Sequence, residues 1–216
     1  MFCNLEETAL RDYACIGVQT GFQEGTTLFR EGGRSSHVFI ICTGQVKLSC
    51  TSREGKTLIL RIAMPGDVLG LGAVISGSAY EVTAKTLQPT QVKSIRRQEF
   101  ISFLEKHGEG SLHAAKALSE DYKAAFFDAR LLALSGSAAA RLASVLLEWG
   151  KAAATCGKFE MRFTMALTHE ELANMVGSSR ETVTRMLTRF KKEHLIQVHG
   201  SSILILAPDL LERLAV

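Results

Sequence analysis

Between Thr168 and Lys192 the chain reads THEELANMVGSSRETVTRMLTRFKK, a spacing that leaves room for little except two short helices joined by a tight turn. Thr168 followed by Glu171 has the pattern of a capping box, in which the hydroxyl takes one orphan amide and the carboxylate reaches back to the cap. Ser178 with Glu181 repeats that pattern and predicts the start of a second helix. Val176-Gly177-Ser178 between them is a glycine turn of the kind a helix-turn-helix uses. In the second helix Val183, Met186, Leu187 and Phe190 fall at i, i+3, i+4 and i+7, one apolar stripe for packing. Arg180, Glu181, Thr184, Arg185 and Thr188 are left on the other side.

From Ser178 to Lys192 there are five cations (Arg180, Arg185, Arg189, Lys191, Lys192) against one anion, Glu181. Arginine can donate two hydrogen bonds to guanine, glutamate can accept from cytosine N4, and threonine can touch a thymine methyl. The amino-terminal turn of such a helix also favours phosphate through its free N–H groups. The net charge of the whole chain is only +3, so the argument for nucleic acid rests on this local clustering.

The run Gly177-Ser-Ser-Arg-Glu-Thr-Val-Thr-Arg-Met-Leu187 resembles the recognition-helix signature of the Crp–Fnr family of bacterial transcription regulators, and the resemblance extends over residues 20 to 206. It implies an α+β chain: an amino-terminal antiparallel β-roll of the cyclic-nucleotide-binding, jelly-roll type, a long dimerisation helix and a carboxy-terminal winged helix-turn-helix. The expected boundaries are 1–108, 109–135 and 136–216. The resemblance implies that Arg180, Glu181 and Arg185 are base readers; Thr168, Ser179, Thr182 and Thr184 complete the DNA-contacting set. It also implies a homodimer on double-stranded DNA at an inverted repeat of TGTGA-like half-sites, with RNA polymerase as a partner if the protein activates. Thr184 stands where the cyclic-AMP receptor branch has glycine, which leaves the half-site open.

The rest of the chain bounds the alternatives. With 216 residues, 46% hydrophobic and 22% charged, it has ample core material for one large or two small globular domains. No apolar run approaches the roughly 18–20 residues that cross a bilayer. The start, MFCNLEETALRDY, has neither a basic nor a hydrophobic leader region, which predicts a cytoplasmic protein. Five cysteines without a C-x-x-C pair read as reduced thiols. The Fnr branch holds an iron–sulfur cluster with clustered amino-terminal cysteines and one more in the roll. Only Cys3 matches the first group and Lys93 falls at the roll position, which argues against a cluster.

Along the chain, Asn4 and Glu7 predict a capped first helix over residues 5–16. HVFIICTG, QVKLSCTS, TLILRIA, YEVTAKTL and TQVKSIR predict strands of an antiparallel roll, and Val46, Leu48 and Cys50 alternate with Lys47, Ser49 and Thr51 as one buried face would require. Residues 97–106 return to helical spacing. After Gly108 and Gly110 a long helix is expected over 111–134, about 36 Å at ~1.5 Å per residue. Its Ala115, Leu118, Tyr122, Ala125, Ala129 and Leu132 step by 3 and 4, as a heptad seam does. Dimerisation through that seam competes with packing on the chain's own roll. Residues 134–138 read as a hinge, 137–151 as a helix, FEMRF (159–163) as a strand and LIQVHGSSILI as a wing hairpin.

The resemblance places an effector between roll and long helix, with Gly70, Leu71, Ser78, Ala79, Tyr80, Phe126 and Phe127 as pocket candidates. Cyclic-AMP-binding members use a glutamate on the ribose and an arginine on the phosphate; here those positions are Leu71 and Ser78, and no arginine occurs between Arg61 and Arg96. A phosphate buried without its arginine is a desolvated, unpaired anion, which argues against cyclic AMP. The aromatic side chains either line an apolar pocket or fill it. His37, His107 and His113 are loose haem candidates, without metal-ligand spacing. Two other classes fit the residues less well. A ligand-sensing module without DNA function leaves Arg180, Glu181 and Arg185 unexplained, and an enzyme lacks any nucleophile motif, carboxylate pair or phosphate loop.

Overall fold

The computed structural model describes residues 5–134, 137–155 and 160–215. The chain divides into two compact units, Met1–Ala125 and Phe126–Val216.

The first unit opens with α1 (Glu7–Cys15) and continues as eight short strands: β1 (Val18–Phe22), β2 (Thr27–Phe29), β3 (His37–Thr43), β4 (Val46–Thr51), β5 (Thr57–Ala63), β6 (Val68–Leu69), β7 (Thr83–Thr86) and β8 (Thr90–Arg96). One helical turn and a half, α2 (Leu71–Ser76), interrupts them between β6 and β7; α3 (Arg97–Lys106) and α4 (Gly108–Leu134) follow. The strands form two four-stranded antiparallel sheets, ordered β1-β8-β3-β6 and β2-β7-β4-β5. Phe29, Phe39, Ile41, Val46, Leu69, Tyr80 and Val92 fill one core. A second core joins the strands to the helices through Leu5, Ala9, Tyr13, Val38, Ile40, Ile95, Phe100, Phe103, Ala114 and Ala117. Strand β3 belongs to both, Phe39 and Ile41 on one face and Val38 and Ile40 on the other, which is why HVFIICT reads as an unbroken apolar run.

Three expectations change here. Asn4 lies outside the described residues; α1 begins at Glu7 with no side-chain cap, and the Glu6 amide instead donates to Glu109 at 2.8 Å. Ser49, placed on the solvent side by alternation, is 7% exposed, at the point where the β4–β5 register slips past Leu60. The long helix starts at Gly108, so the two glycines lie in its first turn rather than before it. At Gly110 a Cβ would stand 2.7 Å from the Phe103 ring, so glycine permits the close approach of α4 to α3.

The residues of α4 divide between a buried and an exposed face. Ala114 and Ala117 are buried against the roll and Leu118 packs there too. The exposed face carries Leu112, Ala115, Ser119, Tyr122, Phe126 and Ala129, which keep the 3-4 step and share only Ala115, Tyr122 and Ala129 with the predicted seam. The Leu132 side chain and the hinge residues 135–136 lie outside the described set.

The second unit contains α5 (Ala138–Thr155), β9 (Arg162–Thr164), α6 (His169–Met175), α7 (Arg180–Lys192), β10 (Ile196–His199), β11 (Ser202–Ile205) and α8 (Pro208–Ala215). Ser137 accepts from the Ala140 amide at the start of α5. The expected 159–163 strand is found at Arg162–Thr164, with Phe159 outside the described residues. β10 and β11 form the predicted hairpin, His199 paired with Ser202 across Gly200, whose φ of 58° suits glycine. Leu142, Leu146, Leu172, Val183, Leu187, Phe190, Ile196 and Ile203 make its core. Among the described residues no helix is long and apolar enough to cross a membrane.

Candidate nucleic-acid interface

The first helix of the motif is closed as its sequence requires. Thr168 accepts from the Glu171 amide at 3.2 Å, and the Glu171 carboxylate accepts from the Thr168 amide at 3.0 Å and its hydroxyl at 3.1 Å. The chain then turns through Gly177 at φ 59°, a left-handed conformation that glycine adopts without a Cβ penalty. The Ser178 amide is committed to the Ala173 carbonyl at 2.9 Å.

That commitment corrects the second cap. α7 begins one residue later than expected, with Ser179 as N-cap: its hydroxyl accepts from the Thr182 amide at 3.3 Å, and its carbonyl takes the first helical bond, from Val183, at 3.0 Å. The apolar stripe dictates the phase of a helix but not its first residue, and both serines suit a cap chemically. Ser179→Ala is expected to cost about 1 kcal/mol of stability while Ser178→Ala costs a few tenths, as chemical denaturation of the two variants will show.

The stripe packs as predicted: Val183 and Phe190 are fully buried and Met186 and Leu187 nearly so. This orients Arg180, Glu181, Thr184, Arg185 and Thr188 outward, all exposed. Among the described residues Arg180 and Arg185 take part in no ion pair, whereas Arg189 is tied to Glu193 at 2.7 Å. Bonding to its own backbone amide and to the Ser179 hydroxyl holds the Glu181 carboxyl below the usual range, so it is present as an acceptor. Thr182 is half-buried, its hydroxyl 3.0 Å from that of Ser179.

Two residues that sequence reasoning passed over hold this arrangement. Arg141 of α5 donates to the Val176 carbonyl at 2.7 Å and to the Gly177 carbonyl at 3.4 Å, so a cation caps the carboxy-terminal end of α6 and fixes the turn. His169 at the start of α6 lies 2.9 Å from the Thr184 hydroxyl. Neither carried a sequence signal, since the partners are backbone carbonyls and a single hydroxyl far along the chain.

Of the effector-pocket candidates, Gly70 and Tyr80 lie side by side. Tyr80 is buried in the roll interior, stacked on Phe29 with ring centroids 4.0 Å apart, and its hydroxyl donates to the His37 carbonyl at 2.6 Å. Its ring lies beside Gly70, where a Cβ would approach to 2.6 Å. Leu71 faces the other core, and Ser78 and Ala79 are exposed. Phe126 is 58% exposed, and the Phe127 side chain lies outside the described residues. Arg97, whose guanidinium lies beside Gly77, donates to the Val74 carbonyl at 2.8 Å. Between β5 and α4, Arg61 pairs with Asp121 at 3.1 Å; burial raises that carboxyl's pKa and Arg61 opposes the rise.

Of the histidines, His37 lies 2.9 Å from the Ser36 hydroxyl. His107 bonds Asp12 at 2.8 Å, and Asp12, held mainly by Lys106 and then by His107, has its carboxyl kept below the usual range. His113 stands 3.9 Å from Glu109. Among the described residues no group of three or more His, Cys, Asp or Glu could hold a metal ion, and Cys15, Cys42 and Cys50 are free thiols.

An antiparallel roll bearing a long helix, followed in the chain by a winged helix-turn-helix with an exposed basic reading face, defines a DNA-binding regulator. Comparison with known proteins gives the family. Residues 19–107 match the cyclic nucleotide-binding domain and residues 140–214 the Crp-like helix-turn-helix domain. The chain is 28% identical over 194 residues to the CRP-like cAMP-activated global transcriptional regulator of Mycobacterium tuberculosis, covering 90% of this chain and 86% of that one. It is 27% identical over 193 residues to the fumarate and nitrate reduction regulatory protein of Escherichia coli K12, covering 89% and 76%. The fold matches FixK2 from Bradyrhizobium japonicum with a TM-score of 0.83 at 20% identity, over 93% of this chain and 98% of that one. The chain belongs to the Crp–Fnr family of DNA-binding transcription regulators.

Proposed function

We propose that this regulator works in the cytoplasm as a homodimer, joined along the exposed Leu112–Ala129 face of α4, and reads an inverted repeat of TGTGA-like half-sites. Arg180, Glu181 and Arg185 meet base edges, Thr184 stands between them, and Thr168, Ser179 and Thr182 lie at the backbone-facing ends of the two helices. The observation that carries the reading is the outward face of α7, where Arg180 and Arg185 are exposed and, among the described residues, take part in no ion pair, over a fully packed stripe. A two-fold dimer presents two such helices about one DNA turn apart, which calls for a palindromic site. RNA polymerase is the further partner if the bound protein activates.

Cyclic AMP does not suit the residues present. Leu71 is 2% exposed in an apolar core, Ser78 offers no cation, and Tyr80 occupies the space beside Gly70. The activation by cyclic AMP named for the mycobacterial relative is therefore not carried over, and the reading-competent state is reached without it.

The test is fluorescence anisotropy at fixed ~150 mM salt, since phosphate contacts make every affinity salt-dependent. A duplex with a TGTGA-type inverted repeat is compared with a scrambled one, with no small molecule added. The repeat is expected to bind more tightly. Arg185→Ala should lose about 1–3 kcal/mol on the repeat alone, whereas Lys191→Ala should weaken both duplexes alike. Equal losses for Arg185→Ala on both would contradict base reading.

A further inference from the structure

The His169–Thr184 contact ties the start of α6 to the outward face of α7. The Thr184 hydroxyl has a single hydrogen, and it is donated to the Arg180 carbonyl one turn back, at 2.9 Å. Toward His169 the same oxygen therefore accepts, and Nδ1 of the imidazole carries the proton that closes the 2.9 Å bond. Threonine in a helix divides between two χ1 rotamers, because its hydroxyl can bond a preceding carbonyl. Two bonds on one oxygen, from opposite sides, hold Thr184 in one of them. Thr184 is exposed and lies between Arg180 and Arg185 on the outward face. With the hydroxyl turned back to its own helix and across to α6, the part of the side chain left for the groove is the γ-methyl.

We propose that His169 is a specificity-setting residue: it holds Thr184 so that a methyl group, and not a hydroxyl, meets the base, and this position of the half-site selects thymine. Thymine alone presents a methyl in the major groove, whereas a mobile threonine hydroxyl accommodates more than one base. His169 acts through Thr184 and is a positioning residue. The inference rests on the base-reading assignment of α7 made above and adds to it the chemistry of one step.

The experiment separates the methyl from everything else. The full-length protein selects its preferred duplex from a pool of inverted repeats randomised over the half-site. Each thymine of that duplex, on either strand, is then replaced singly by deoxyuridine, and affinities are read by anisotropy. One thymine is expected to show a loss of about four-fold, the worth of one buried methyl group. That loss should vanish in Thr184→Gly and in His169→Ala. It should persist in His169→Asn, whose side-chain amide can donate where Nδ1 does. Circular dichroism and melting of each variant show that the fold is kept. The proposal is overturned if Arg185→Ala weakens the selected duplex alone but no thymine shows a Thr184-dependent loss, or if the loss survives in His169→Ala. If Arg185→Ala weakens selected and scrambled duplexes equally, the base-reading assignment itself fails and this inference falls with it.

Discussion

Replacing Phe190 with alanine is expected to destabilise the carboxy-terminal unit by about 3–5 kcal/mol, the cost of deleting a buried aromatic side chain. Phe190 is 0% exposed and ends the stripe by which α7 packs on Leu142, Leu146 and Leu172. A unit of this size has only about 5–15 kcal/mol of stability to lose. At ~4–8 °C per kcal/mol, calorimetry should show its transition falling by well over ten degrees. DNA binding should fail at temperatures the parent protein tolerates, because the reading face is only as well aimed as the stripe beneath it. Arg185→Ala is the matched control: it should spare the melting temperature and lose the specificity. An unchanged transition in Phe190→Ala would contradict the packing described.

Tyr80→Ala should have a comparable effect on the roll, again about 3–5 kcal/mol. The ring stacks on Phe29 and lies beside Gly70, and the hydroxyl both donates to the His37 carbonyl and accepts from the His37 amide at 3.2 Å. Burial raises the pKa of this phenol, so it remains a donor across the neutral range. Tyr80→Phe, which keeps the ring, should cost only about 0.5–1.5 kcal/mol, and the difference between the variants isolates the filling of the interior from the hydrogen bond. The cavity left by alanine is apolar, and such cavities stay dry and take up small aromatic molecules. Added benzene or indole should therefore raise the stability of Tyr80→Ala and leave the parent unchanged. Equal costs for alanine and phenylalanine would mean that the ring fills nothing.

The parts of the molecule that were legible in advance are those where one periodicity serves one purpose. The α7 stripe, the Thr168–Glu171 box and the wing hairpin each follow from a single pattern that a single packing partner reads, and five of the roll strands are marked by short β-rich runs. Strand β1, VQTGF, has no apolar run to announce it; it is largely exposed and exists by pairing with β8. Helix α2 has six residues between two glycines of positive φ, too short for a helical period. In α4 a 3-4 step alone does not say which face packs within the chain: Ala114, Ala117 and Leu118 do, while Leu112, Tyr122 and Phe126 are exposed. At the reading face the residue types announced their chemistry. The supports, Arg141 and His169, did not, because a bond to a distant carbonyl or hydroxyl leaves no mark on spacing.

Strand β3 has one last consequence. Since Phe39 and Ile41 press into the roll while Val38 and Ile40 press against α1, α3 and α4, its backbone is a party wall a single chain thick. Close-packed interiors are stiff and pass displacement on instead of absorbing it. A change of shape on the Tyr80 side of that wall is thus felt on the helical side with no ligand reaching across, and a mutation on either side is heard in both rooms.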